Sequence, residues 1–250
     1  MKLVERSEPG QAVPDGYSAR ETWYAIYYTP AADHPLTRAA ETWLGRSAFP
    51  PREIALRPEI EPDREAVIAQ PRRYGFHATL KAPFRLAKGN SIATLEQALS
   101  KFTRERRPCP IGPLKLNFMR GFFAFVPHHE IPGLRALARE IVEKFDPFRA
   151  AVDEAELKRR LLDPLDDEET THLVRWGYPY VFDRFRFHMT LTDRRLSDRK
   201  GALQSELQEH FGDLLTEDYR VDAITLFEQK QPLTDFTVRA RFTLEQRGVE

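Results

Sequence analysis

The sequence predicts an α+β fold of two lobes related by a pseudo-two-fold, each a small antiparallel sheet with outer helices, and a groove between them. Three observations predict it. Phe76-His77-Ala78-Thr79-Leu80 returns as Phe187-His188-Met189-Thr190-Leu191, matching at four of five positions. Each copy leads into a helix-period segment, opening near Ser91 and Ser197, 14 and 9 residues after its histidine. The next strand signals begin near Leu114 and Val221, 37 and 33 residues after those histidines, so a repeated unit is the simplest arrangement. At 250 residues, 41% apolar and with 17 Phe, the chain can fill one two-lobed core without disulfides or a structural metal.

Residues 1–21 are polar, contain Pro and Gly, and read as a tail; 22–250 read as one bilobal domain, with a His77 repeat at about 74–127 and a His188 repeat at about 185–244. Trp23 to Tyr28 is aromatic and β-branched and stops before Pro30, as a strand does. Pro35 to Gly45 has helical spacing with Pro at its start and Gly at its end. A Pro- and Arg-rich connector, Pro50 to Arg73, leads to an extended segment around His77 that ends before Pro83. Ser91 to Arg107 is an amphipathic helix with a Ser cap, and two strands flank an Arg120-Gly121 turn. Pro132 to about Leu162 reads as helix and the acidic run Asp163 to Glu169 as a solvated loop. Tyr178 to Phe182 and Phe185 to Thr192 read as strands, Ser197 to Leu215 as helix, and Tyr219 to Phe227 and Phe236 to Leu244 as strands.

Lys plus Arg equal Asp plus Glu at 38 each, so no global field favours long nucleic acid or an acidic membrane surface. The lone Cys109 cannot make an internal disulfide, no apolar run reaches membrane-span length, and no secretory pattern opens the chain. A cytoplasmic protein is the expectation.

On a strand, His and Thr at i and i+2 share one face while Phe and Leu share the other. A pseudo-two-fold that brings the polar faces together sets two imidazoles across one cleft, each with a hydroxyl beside it. With an ordinary pKa near 6.5, one imidazole can take a proton from an attacking water and the other can give one to a leaving oxygen. The threonines can donate to non-bridging phosphoryl oxygens. This chemistry demands no metal and no cofactor.

The two motifs resemble the signature of the 2H phosphoesterase superfamily, and the resemblance spans roughly 22–245. Tyr74 to Phe84 together with Arg186 to Thr192 look most like the branch associated with phosphonate-utilisation operons. The resemblance implies His77 and His188 as paired acid and base, Thr79 and Thr190 as phosphate ligands, and a small cyclic phosphodiester of ribose or a nucleotide as substrate. RNA end processing or 2'-5' ligation is the alternative on the same constellation, and a non-catalytic nucleotide- or RNA-binding module is a third.

By strand alternation Lys81 joins the face of His77 and Thr79 and is a candidate phosphate ligand. Tyr24, Tyr27 and Tyr28 are read as core. Arg72, Arg73, Arg184, Arg186, Arg194 and Arg195 approach the motifs, and one or two could hold a second phosphate of the substrate. His128, His129, Glu130 and His172 lack metal-ligand spacing and read as solvated, and Cys109 between two prolines reads as inert. Beside the simplest members of the superfamily that the motifs resemble, the connector of about 127–178 is long, and it is a candidate lid.

Overall fold

In the computed structural model, which describes residues 22–50, 62–161, 164–194 and 199–245, an antiparallel sheet carries helices in an α+β arrangement. The predicted tail, Arg195 and the Ser197 helix start lie outside those residues. In chain order the elements are β1 (Trp23–Tyr28), α1 (Pro35–Leu44), α2 (Pro62–Tyr74), β2 (Ala78–Arg85), α3 (Ile92–Arg104), β3 (Cys109–Gly112), β4 (Leu114–Met119) and β5 (Phe122–Pro127). There follow α4 (Pro132–Lys144), α5 (Glu154–Arg160), α6 (Asp167–Trp176), β6 (Met189–Thr190), α7 (Lys200–Phe211), β7 (Tyr219–Val221), β8 (Ala223–Gln229) and β9 (Thr237–Thr243).

Seven strands form one sheet in the order β4-β5-β6-β2-β1-β8-β9, and β3 pairs with β7 in a separate ribbon. Read outward from the β6–β2 seam, the first three strands on either side correspond: β6 with β2, β5 with β1, β4 with β8, leaving β9 as an extra edge. The two small sheets expected from the sequence are therefore halves of one sheet. They meet at a single paired position, Ala78 opposite Met189. On this symmetry the corresponding stretches start at β1 and β5, one strand earlier than the histidine segments.

Local chemistry accounts for most of the helices. In α1, Pro35 sits in the first turn, His34 accepts from the Leu36 N–H, and Gly45 closes the helix at φ +64. Ser91 and Thr94 form a reciprocal capping box on α3. The acidic run departs from the expected loop: Asp166 and Glu169 make a capping box, Asp167 to Glu169 sit at the positive end of the dipole, and α6 results. Likewise α2 occupies the end of what reads as a connector, starting at Pro62 and tolerating Pro71 close to its C-terminus. The predicted 132–162 helix breaks at Phe145, where Pro147 enters a short 3-10 turn, and another such turn at Phe182–Arg184 replaces the strands expected around 178–188.

Leu36, Trp43, Leu95, Leu99, Leu137, Ile141, Leu203 and Phe211 project from the helices into one core against the sheet. Full burial of such side chains contributes roughly 1.5–3 kcal/mol each. A smaller cluster of Trp23, Ala25, Tyr27, Ala48, Phe227 and Phe236 packs the opposite face of β1. No helix among the described residues is long and apolar enough to cross a membrane.

Candidate active site

The two repeated motifs meet at the seam. With Ala78 opposite Met189, stepping one residue either way sets His77 opposite Thr190 and Thr79 opposite His188, all four on one face. Alternation holds as expected: Phe76, Ala78 and Leu80 are buried, as are Phe187, Met189 and Leu191, while the His and Thr residues stay partly open. From α1, the Trp43 indole N–H donates to the Leu191 carbonyl at 2.9 Å, tying the second motif to the core.

Both imidazoles are anchored in the same way. His77 Nδ1 lies 2.8 Å from the Gly75 carbonyl and His188 Nδ1 2.7 Å from the Arg186 carbonyl, each two residues upstream. A carbonyl only accepts, so each Nδ1 carries the proton and each Nε2 is left as the acceptor. The Thr79 hydroxyl donates to His77 Nε2 at 3.3 Å. Gly75 makes this geometry possible, since at φ +77 an added Cβ would lie 2.6 Å from the Ala48 Cβ.

The surroundings of the two rings differ. Tyr27 pairs with Thr79 across β1–β2 and stacks on His77 at 3.8 Å between centroids, whereas the corresponding partner of Thr190 on β5 is Ala124. Burial lowers the His77 pKa from 6.5 to about 4, against the pull of the Gly75 hydrogen bond, with the proximity of His188 adding to the fall. Burial also lowers that of His188, where the Arg120 and Arg194 charges act in the same direction. Near neutral pH both rings are uncharged acceptors in the free protein.

Around the four residues lies a groove of about 690 Å³ walled by Tyr27, Tyr74, Phe122, Tyr178 and Tyr180. One arm, of about 370 Å³, runs past Trp23, Tyr74, Tyr178 and Phe236 with Arg73 and Arg160; another, of about 100 Å³, lies beside His188 among arginines. Such a site can accept a proton on one Nε2, supply one from the other once it is protonated, and hold an anionic oxygen on the Thr hydroxyls.

Lys81 does not join this face. Tyr27 pairs with Thr79 but Ile26 with Lys81, so one step on β1 corresponds to two on β2, and the bulge at Leu80 turns Lys81 toward the helices. Its ammonium is buried between the Val142 carbonyl and Asp146, both at 3.2 Å, and burial lowers its pKa to about 8. Tyr27, read as core, is buried and also forms the floor beneath His77. The long connector supplies a wall through Tyr178 and Tyr180. Sequence reasoning did not single out Tyr74, Phe122 or Arg120, whose only signal was nearness to a motif or a turn. His128, His129 and Glu130 line a different groove, and no cluster of three or more His, Cys, Asp or Glu residues gathers among the described residues.

A family model described as "Protein of unknown function (DUF1045)" matches residues 79–237. The chain is 32% identical over 234 residues to a ribose 1,5-bisphosphate phosphokinase PhnN of Janthinobacterium sp. (strain Marseille), covering 91% of this chain and 52% of that protein. It is 34% identical over 176 residues to a protein of the same name from Laribacter hongkongensis (strain HLHK9), covering 68% of this chain and 40% of the other. The chain thus spans about half the length of these relatives, or less. Among solved structures, E. coli LigT complexed with 3'-AMP is similar at 13% identity and a TM-score of 0.42, over 90% of this chain and 99% of that one.

Proposed function

For this chain, which belongs to the DUF1045 family, we propose a metal-independent phosphodiesterase that opens a small cyclic phosphodiester by paired-histidine acid–base catalysis. The observation that carries the reading is the matched pair of imidazoles, each fixed through Nδ1 to the carbonyl two residues upstream and offering Nε2 to one groove beside a threonine. The mirrored strand order about the seam supports an internal repeat as the origin of the pair.

His77, stacked on Tyr27 and held neutral, is the base: its Nε2 takes a proton from water as the water oxygen attacks phosphorus. His188, protonated on Nε2 once the anionic substrate is bound, gives that proton to the ring oxygen as the P–O bond breaks. A phosphomonoester and a free hydroxyl result. Thr79 and Thr190 donate to the non-bridging oxygens, whose charge grows toward the transition state.

The substrate class follows from combining this chemistry with the relatives. The chain has no Gly-Lys step and hence no P-loop, so the kinase activity named for those proteins has no phosphate cradle of that kind here. The ribosyl phosphate named for them is the candidate that this chemistry suggests. Opening a ribose 1,2-cyclic phosphate that carries a 5-phosphate, with O2 leaving, yields ribose 1,5-bisphosphate. A second reading, a nucleoside 2',3'-cyclic phosphate, is favoured by the aromatic arm at Trp23, Tyr74 and Phe236, which suits a stacked base.

Turnover on ribosyl 1,2-cyclic and nucleoside 2',3'-cyclic phosphates, with chelator present, tests this. Wild type should be active, and His77→Ala and His188→Ala should each lose roughly 10²- to 10⁴-fold. Undiminished activity in either variant, or loss on chelation alone, refutes the mechanism.

A further inference from the structure

The arm of the groove beside His188 is built differently from the rest. Arg120, Arg184, Arg186 and Arg194 line it together with Thr79 and His188, and among the described residues no carboxylate does. Its volume, about 100 Å³, is the smallest of the three spaces around the motif residues, against about 370 and 690 Å³ for the others.

The guanidiniums are held in place by their surroundings. Arg120 lies 4.7 Å over the Tyr180 ring and 3.5 Å from Glu169. Arg184 reaches Asp166 and Glu168, both at 2.8 Å, yet its Nε is buried with no hydrogen-bond partner among the described residues. Arg186 donates to the Asp183 and Phe185 carbonyls and stands 3.9 Å from Glu130; Arg194 lies 5.8 Å from the Phe122 ring. Backbone geometry points the same way. In the β4–β5 turn Arg120 has φ +49 and Gly121 φ +90, a conformation that favours Asn or Gly at both positions, yet an arginine stands at the first. A guanidinium is thus kept over Tyr180 against the local preference of the turn.

We propose that this recess is an anion subsite, centred on Arg120, that receives a second phosphoryl group of the substrate, the 5-phosphate of a ribosyl cyclic phosphate. The assignment of that group rests on the functional reading above, while the subsite itself rests on the arginines. Arginine suits the role because its planar fork meets phosphate oxygens two at a time. An anion lodged there also cancels the positive field of Arg120 and Arg194 on His188, which favours the protonated ring that the leaving oxygen needs.

The test pairs binding with turnover in Arg120→Gly, a substitution that removes the guanidinium and suits the positive φ. Ribose 5-phosphate, which carries the second phosphate and no cyclic ester, is titrated calorimetrically into wild type, Arg120→Gly and the control Lys158→Ala, an exposed site on α5. Affinity should fall roughly 10- to 100-fold in Arg120→Gly and stay unchanged in the control. With ribose 1,2-cyclic phosphate, the preference of kcat/KM for the 5-phosphorylated form should collapse toward unity in Arg120→Gly. Failure of wild type to bind ribose 5-phosphate, equal affinity in Arg120→Gly, or an equal loss on both cyclic substrates overturns the proposal. Arg120-dependent binding in a protein that opens no ribosyl cyclic phosphate would keep the subsite and remove the functional reading.

Discussion

Gly75→Ala should damage both stability and the site, for reasons that can be separated. The new Cβ must occupy φ +77, a left-handed conformation costing about 1–2 kcal/mol for a residue with a side chain. It also falls 2.6 Å from the Cβ of Ala48, which is buried in the cluster packed on β1, and relieving such an overlap in a filled region costs typically 1–3 kcal/mol. Together these give about 2–5 kcal/mol, or a fall in Tm of roughly 5–15 °C for a chain of this size. The carbonyl that moves is the one that holds His77 Nδ1, so kcat should drop by about 10-fold or more while KM changes little. Thermal unfolding of Gly75→Ala, Ala48→Gly and the double variant forms a cycle: Ala48→Gly should recover the overlap contribution and leave the dihedral contribution. A Gly75→Ala protein within ~0.5 kcal/mol of wild type, or a strictly additive double variant, would refute the reasoning.

Acid should weaken the fold through His77. Its pKa falls from 6.5 to about 4 on folding, so stability is full above pH 6.5 and is lost as pH drops toward 4, by up to ~3 kcal/mol; denaturant titrations of wild type against His77→Phe should show that pH-dependent portion disappearing. Lys81 and Asp146 should respond unequally to truncation. Asp146→Ala strands a buried ammonium and should cost about 3–5 kcal/mol, whereas Lys81→Met keeps the packing and leaves Asp146 paired with Arg149, so it should cost under about 1.5 kcal/mol by urea unfolding. Neither change should alter substrate KM by more than about 2-fold, since neither side chain lines the groove; a large KM effect in Lys81→Met would restore Lys81 as a phosphate ligand.

The motif strands were legible because their information is local: alternation of Phe, His, Thr and Leu needs only one strand to be interpreted, and the buried and open faces follow it. Caps did equally well at α1 and α3. Lys81 failed because a bulge is a property of two strands, and nothing in Ala78 to Arg85 reveals that Ile26 will pair one residue further along. The acidic run hides its helix for a different reason. Carboxylates in the first turn of a helix and carboxylates in a solvated loop have the same composition, and only the Asp166–Glu169 spacing separates them. Tyr178 and Tyr180 were beyond sequence reasoning, since the chain between the two motifs brings them back to the groove through tertiary packing alone.

The seam has a mechanical consequence. Each half of the sheet is internally well laced, β1 to β2 and β8 and β4 to β5, but among the described residues the main sheet offers one paired position across the midline, and the β3–β7 ribbon makes the other strand-to-strand tie. His77 belongs to one plate and His188 to the other. Their separation depends on the joint and on the shared core beneath it, where Phe76 meets Phe125 edge-on and Trp43 donates to the Leu191 carbonyl. A substitution at the Cys109–Val221 pairing tests that dependence without touching a residue that lines the groove.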